Sequence, residues 1–200
     1  MRPDLDLVAG MVPRGSRVLD LGCGDGTLLE HLIRARGCEG HGVEISADGF
    51  DACVARGVPV LQADIDAGLD EFDDGRFDVV ILSQTLQATH HPRLVLAEMM
   101  RVGATSIVSF PNVGHWRLRT RLAVGGRMPS SQLLPYAWYD TPNIHLCTLR
   151  DFELLVSEMG LSIADRLALG QDGRPLAGIA ERRPNVFATG AIYLLRSQNQ

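Results

Sequence analysis

Apolar positions along this chain fall into two alternating rhythms. Short runs rich in β-branched residues suit strands buried on both faces. Between them lie stretches whose apolar residues recur every three or four positions, the spacing of one helix face. Arg17-Val18-Leu19-Asp20-Leu21 predicts a first strand that runs into glycines. Thr27 to Arg36 follows as a helix, with Leu28, Leu29, Leu32 and Ile33 on one stripe. Gly42 to Ile45 predicts the second strand, and Ser46 is placed to cap a helix through Ala55. Pro59 to Ala63 gives a third strand, and Phe77 to Leu82 a strongly apolar fourth, as a central strand should be. Pro92 to Val102 is a helix with proline in its first turn, and Ser106 to Phe110 a fifth strand. Asp151 to Met159 is a helix stopped by Gly160. Leu161 to Leu169 and Phe187 to Leu195 close the series as a hairpin whose long loop carries Gly170, Gly173, Pro175 and Pro184. The alternation predicts an α/β protein with a largely parallel sheet of seven strands and helices on both faces.

Residues 111–150 break this rhythm, being longer than an ordinary connection. They hold Trp116, Trp138, Tyr136 and Tyr139 among several arginines. The expectation is one domain over residues 1–200 with an aromatic and arginine-rich insertion at about 111–150. Residues 197–200 read as a loose tail. A chain of 200 residues can bury roughly 70% of its unfolded surface, so it needs no staple to fold. Its net charge of -5 argues against a constitutive nucleic-acid binder. Cys23, Cys38, Cys53 and Cys147 form no C-x-x-C pair and no secreted disulfide framework. The N-terminus has no continuous apolar leader, and no run approaches the ~18 apolar residues of a bilayer span. The expected location is cytoplasmic, without membrane or nucleic-acid partners.

The chemistry concentrates where the first strand ends. Asp20-Leu21-Gly22-Cys23-Gly24-Asp25-Gly26 sets a glycine-rich turn between strand and helix, where backbone and ligand can approach closely. A dinucleotide pyrophosphate is the usual guest of such a turn. Here Thr27 stands where a third glycine or alanine would be expected, and Asp20 and Asp25 would repel a phosphate. The same carboxylates suit S-adenosylmethionine or S-adenosylhomocysteine, which carry an ammonium and no phosphate. Glu44, closing the second strand, can accept from both ribose hydroxyls, while Ser46 supplies the helix cap. Asp64 can accept from an adenine amino group or cap a helix, with Asp66 competing for either role. The cofactor set expected is therefore Asp20, Gly22, Gly24, Gly26, Glu44 and Asp64.

The acceptor side is less defined. His90 and His91 are candidate general bases near neutral pH, or simply loop residues ahead of a helix. His145 and Cys147 lack a second ligand pair of suitable spacing, so no metal site is expected. No Asn/Asp-Pro-Pro-aromatic run follows the fourth strand, and no G-x-S-x-G elbow is present.

Longer phrases are more distinctive than the loop. Phe77 to Gln87, Ser109-Phe110-Pro111-Asn112, Gly114-His115-Trp116-Arg117, Gly126-Arg127-Met128-Pro129 and Trp138 to Cys147 resemble the bacterial MetW family of methionine-biosynthesis proteins, over about residues 3–196. The resemblance implies a Rossmann-like class I methyltransferase fold and an association with the homoserine O-acyltransferase step of methionine synthesis. A further acid expected after Glu44 is replaced by Ile45-Ser46, which leaves Glu44 alone for the ribose. Trp116, Arg117, Tyr136, Trp138 and Tyr139 are residue types that dominate interface hot spots. They suit a partner surface or an acceptor lid, or simply cover a sheet edge. Two readings lead: an accessory protein supporting the acyltransferase, or a free-standing methyltransferase on a small metabolite. A distant third, an RNA methyltransferase using the arginine cluster, is opposed by the acidic net charge. The sequence itself establishes no methyl transfer.

Overall fold

The computed structural model describes residues 2–131 and 134–197. The elements in chain order are α1 (Pro3–Met11), β1 (Arg17–Leu21), α2 (Thr27–Arg36), β2 (Glu39–Glu44), α3 (Ala47–Ala55), β3 (Val60–Gln62), β4 (Phe77–Ser83), α4 (Pro92–Val102), β5 (Gly103–Pro111), α5 (Trp116–Gly125), α6 (Leu149–Glu158), β6 (Leu161–Leu169), α7 (Ile179–Arg182), α8 (Pro184–Phe187) and β7 (Gly190–Ser197). Single 3-10 turns lie at Ile65–Ala67 and Leu86–Ala88. No helix among the described residues is long and apolar enough to cross a membrane.

The strands form one sheet in the order β3-β2-β1-β4-β5-β7-β6. β3 through β5 run parallel, whereas β7 is antiparallel to both β5 and β6. Side chains alternate between two cores, as the period of two requires. Val18, Val79, Ile81, Ile107 and Ile192 meet α1 and α2 on one face. Leu19, Leu21, Val80, Leu82, Val108 and Tyr193 meet α4 and α6 on the other. α2 buries Leu28, Leu29 and Leu32 of the stripe its sequence promised, and Val95, Leu96, Met99 and Val102 are the buried residues of α4. Phe110, Phe152 and Tyr193 pack ring to ring at 4.7–5.7 Å. The Tyr193 hydroxyl donates to Glu153 at 3.0 Å, so its polar end is satisfied inside the second core.

Several boundaries differ from the sequence expectation. α1 was not expected; Pro3 pre-sets its first turn and Asp4 and Asp6 complement its N-terminal dipole. β2 ends at Glu44, leaving Ile45 outside. β5 begins at Gly103 directly after α4, where a Cβ would stand 2.4 Å from Val80. α6 starts at Leu149 because Thr148 and Asp151 form a reciprocal capping box. Phe187 belongs to α8 rather than to the last strand. Ser197, expected to begin a loose tail, is the end of β7 and pairs with Leu161; residues 198–200 lie outside the described residues.

Beyond the β5–β7 ladder, Asn112, which follows β5 and is 1% exposed, ties the end of β5 to the segment before β7. Its Nδ2 donates to the carbonyls of Ala188 (2.8 Å) and Asn185 (3.2 Å), and its Oδ1 accepts from the Gly114 amide (2.9 Å). Asn112→Ala strands these groups in a buried place. Urea unfolding should show a loss of about 2–4 kcal/mol. A loss below ~0.5 kcal/mol would show that these bonds do not hold the joint.

Candidate functional site

Strand order reverses between β1 and β4, and the crevice outside their C-terminal ends is where open α/β sheets take ligands. The glycine loop sits there. The amides of Gly22 and Cys23 both donate to the Val43 carbonyl, at 2.8 and 3.2 Å, which folds the loop over β2. Gly22, Gly24 and Gly26 all have positive φ. Their surroundings differ. A Cβ on Gly22 would meet Thr85 at 2.6 Å, and one on Gly26 would meet Cys53 Sγ at 2.8 Å. One on Gly24 would meet nothing within 4 Å. Gly22 and Gly26 thus serve packing, and Gly24 has an open face.

Glu44, 8% exposed, accepts from the Gly24 amide at 2.8 Å and from the Ser46 amide at 2.9 Å. Each oxygen keeps a further lone pair for a ligand hydroxyl. Ser46 caps α3 by accepting from Gly49, as expected. Gly49 was missed by sequence reasoning. A Cβ there would stand 2.8 Å from Glu44 Cγ, so glycine lets α3 approach the clamp. Its signal was a glycine inside a helix, which costs about 1 kcal/mol against alanine and so needs a reason.

Asp20 is 3% exposed, and its carboxyl finds no hydrogen-bond partner among the described residues. Burial, and secondarily the nearby Glu44, push its pKa up to about 7. A buried carboxyl left so is poised for a cation. Asp25 acts differently from expectation. It accepts from the amide and hydroxyl of Thr27 and from Arg56 Nη2 at 2.7 Å, so it is tied to the first residue of α2 and contributes no free charge to the loop. Asp64 is exposed and caps the 3-10 turn by accepting from Asp66. Asp66 in turn accepts from the amides of His90 and His91, at 2.8 and 2.7 Å. Both histidine side chains are exposed. Among the described residues no group of three His, Cys, Asp or Glu could hold a metal.

A cavity of about 780 Å³ is on the other side of the β4 end from the glycine loop. Gln84 marks the boundary. It lines the cavity, while the next residue, Thr85, abuts Gly22. Gln84 is the one described non-glycine residue with positive φ, at 57°. Its amide is held by Ser109 and its carbonyl accepts from Gln87 Nε2 at 2.7 Å. Such strain costs about 1–3 kcal/mol and gathers at functional sites.

The 111–150 segment divides in two. α5, missed in the sequence because its apolar stripe is weak, walls the cavity with His115, Arg117, Leu118 and Arg121. Arg117 also lies 5.4 Å over the half-exposed Trp116 ring. The stretch beyond α5 carries Tyr136, Trp138 and Tyr139, of which Trp138 is 74% and Tyr139 76% exposed. Their rings meet edge to face at 5.6 Å. The segment returns to the sheet ends where Ile144 and His145 donate to the Gln87 carbonyl and Val113 donates to that of Cys147.

This topology and loop define the class: the methyltransferase fold. The S-adenosylmethionine-dependent methyltransferase from Mesorhizobium loti superposes with a TM-score of 0.70, covering 97% of each chain at 16% identity. A TehB-like methyltransferase from Corynebacterium glutamicum gives 0.64, over 99% of this chain and 89% of that one, also at 16% identity. Likeness at that identity shows the fold alone. The chain belongs to the family of the methionine biosynthesis protein MetW, whose family model matches residues 2–195. The bifunctional methionine biosynthesis protein MetXA/MetW of Rhodopirellula baltica is 32% identical over 98% of this chain, which spans 33% of that protein's length. A ubiquinone biosynthesis O-methyltransferase of Methylococcus capsulatus is 28% identical over 63% of the chain and 55% of its own length.

The Asp20 carboxyl has a measurable signature without any ligand. Its folded pKa of about 7 lies above the unfolded value near 3.8, so its stabilising contribution is full below pH ~4 and is lost as pH rises through 7. Asp20→Asn removes the desolvated charge. Thermal melts at pH 8 should put the variant at least ~2–4 °C above wild type, with the gap closing towards pH 4. A lower melting temperature at pH 8 would mean that the carboxylate is already paired.

Proposed function

We propose that this chain is an S-adenosylmethionine-binding protein of methionine biosynthesis that works in the cytoplasm beside a homoserine O-acyltransferase. The observation that carries the cofactor reading is the unpaired, buried Asp20 carboxyl next to the open face of Gly24. The cofactor's ammonium gives Asp20 the cation it lacks, and the ribose hydroxyls take the remaining lone pairs of Glu44. Asp64 keeps one carboxylate oxygen for an adenine amino group. When bound, the cofactor supplies an electrophilic methyl group. The chain's residues orient it and exclude water; His90 and His91, in solvent and facing Asp66, are poorly placed as bases.

The partner reading rests on two supports. In the Rhodopirellula baltica relative, MetXA and MetW are parts of one bifunctional chain. Covalent joining raises the effective concentration of two modules to millimolar, which favours parts that act together. We take the MetXA part as the acyltransferase that the family resemblance implies. The second support is the exposed pair Trp138 and Tyr139, the residue types that anchor interfaces. The alternative, a free-standing methyltransferase on a small metabolite, draws on the cavity beside Gln84.

Two measurements test these readings separately. Calorimetry should show S-adenosylmethionine binding far more tightly than NAD. Asp20→Asn and Glu44→Ala should each weaken it at least roughly tenfold, since a charged hydrogen bond is worth about 1.5–3 kcal/mol. Gly24→Ala, which adds a methyl to the open face at a positive φ, should do the same. Wild-type affinity in all three variants would remove the site. For the partner, co-purification and acyltransferase assays with and without this chain are decisive. Trp138→Ala with Tyr139→Ala should cost about 2 kcal/mol of binding, some thirtyfold, and leave cofactor affinity unchanged. No complex and no effect on acyltransferase activity at about micromolar concentrations would sink the accessory role.

A further inference from the structure

The cavity beyond β4 has a chemistry of its own. Its volume of about 780 Å³ is that of a small-molecule pocket. Arg117 and Arg121 enter it from α5, one helical turn apart. Arg117 donates to the Gln171 side chain at 2.7 Å and Arg121 to the Ser130 carbonyl at 3.2 Å. Both acceptors are neutral, and among the described residues no carboxylate pairs with either guanidinium. Arg17, Arg56, Arg93, Arg101 and Arg166, by contrast, each hold at least one. Two cations on a concave wall, neither paired with a carboxylate, point to an anionic guest.

His115 supplies a third donor. It is 5% exposed and caps α5 by accepting from the Arg117 amide at its Nδ1 (3.3 Å). Burial, and then Arg117, hold its pKa below the usual histidine value. A neutral ring that accepts at Nδ1 carries its proton on Nε2. That N–H has no partner among the described residues, and the residue lines the cavity.

The rest of the lining sets the kind of anion. Pro3, Leu118 and Leu169 give an apolar wall. Asp4 and Asp172 also border the space, Asp4 engaged with Arg2 at 3.4 Å. The apolar wall gives nothing to inorganic phosphate, whereas an organic carboxylate can lay an apolar body on it while its charge meets the arginines. We propose that this cavity binds a small organic carboxylate with an apolar body. Its oxygens accept from Arg117, Arg121 and His115 Nε2, and its body lies on Pro3, Leu118 and Leu169. No residue of the glycine loop lines the cavity, so the site stands independently of the cofactor reading.

The test uses the whole chain, titrated with straight-chain carboxylates from butanoate to octanoate, the matching alcohols, and inorganic phosphate. Binding is read from histidine ring NMR signals and melting temperature, since a ligand of the folded state raises the latter. His115→Asn identifies the ring signal and preserves the cap acceptor. At least one carboxylate should bind about tenfold tighter than its alcohol and tighter than phosphate, and should shift the His115 signal. Arg117→Gln and Arg121→Gln should each weaken it roughly tenfold. Arg127→Gln, an exposed arginine outside the cavity, should not change it. Alcohols binding as well as acids, phosphate binding best, an equal loss in Arg127→Gln, or no binding by any acid up to about 20 mM would each overturn the proposal.

Discussion

The site depends on the two amide bonds that Glu44 accepts. A carboxylate at the end of β2 is costly to bury unless its oxygens are held. Gly24 and Ser46 hold them, and in doing so Glu44 fastens the glycine loop to the start of α3. Everything around the clamp is shaped to permit it. Gly49 removes a Cβ that would strike Glu44, and Gly42 leaves room for Cys23 beneath the loop. Asp20, one strand over, is then kept close to a second negative charge and out of water with nothing to oppose it. One carboxylate is satisfied and immobile, the other unsatisfied and waiting. That division leaves the first fixed in geometry and the second without a counter-charge.

The sheet carries a second division. Its parallel half brings β1, β2 and β4 to a common edge, where their loops build the glycine site. Its antiparallel half, β5-β7-β6, brings a different set of loops to the same edge, and these wall the cavity with α5. A single residue type could not serve both places. The glycine loop works by backbone exposure beside acids, and the cavity by cations on an apolar wall. Gln84 lies on the border, held in a left-handed conformation by Ser109 on one side and Gln87 on the other.

Most of the fold was legible because strong periodicity leaves little choice. Phe77 to Leu82 can hardly be other than a central strand, and the stripe of α2 and the span of α4 appeared as read. The place of Glu44 at the end of β2 was legible too, being local information, but its hold on the Gly24 and Ser46 amides was not. The failures have physical reasons. α1 mixes acids with apolar residues and shows no clear stripe. α5 offers Leu118 as its one buried residue, so helical periodicity had nothing to register. Asp25 was misjudged because a loop carboxylate reads alike whether it faces a ligand or an arginine of another helix. Arg56 is distant in sequence, and only the fold brings it to 2.7 Å. The cavity escaped for the same reason: Arg2, Gln84, Arg117 and Gly170 meet only once β5, β6 and β7 are assembled.

The exposed aromatics and the two pockets share one frame. From Trp138 and Tyr139 the chain returns to the sheet edge where Ile144 and His145 donate to the Gln87 carbonyl. The Gln87 side chain fixes the Gln84 carbonyl, and Thr85 rests on Gly22. A continuous line of contacts thus joins the outer surface, the cavity border and the glycine loop. Contiguity alone is not coupling. A partner seated on the aromatics changes affinity in either pocket only if it binds two arrangements of this frame unequally. The left-handed Gln84 is the one strained joint on that line. Relaxing it would require both the Ser109 and Gln87 bonds to give way. The frame is therefore better built to hold the pockets fixed beneath a docked protein than to transmit its arrival.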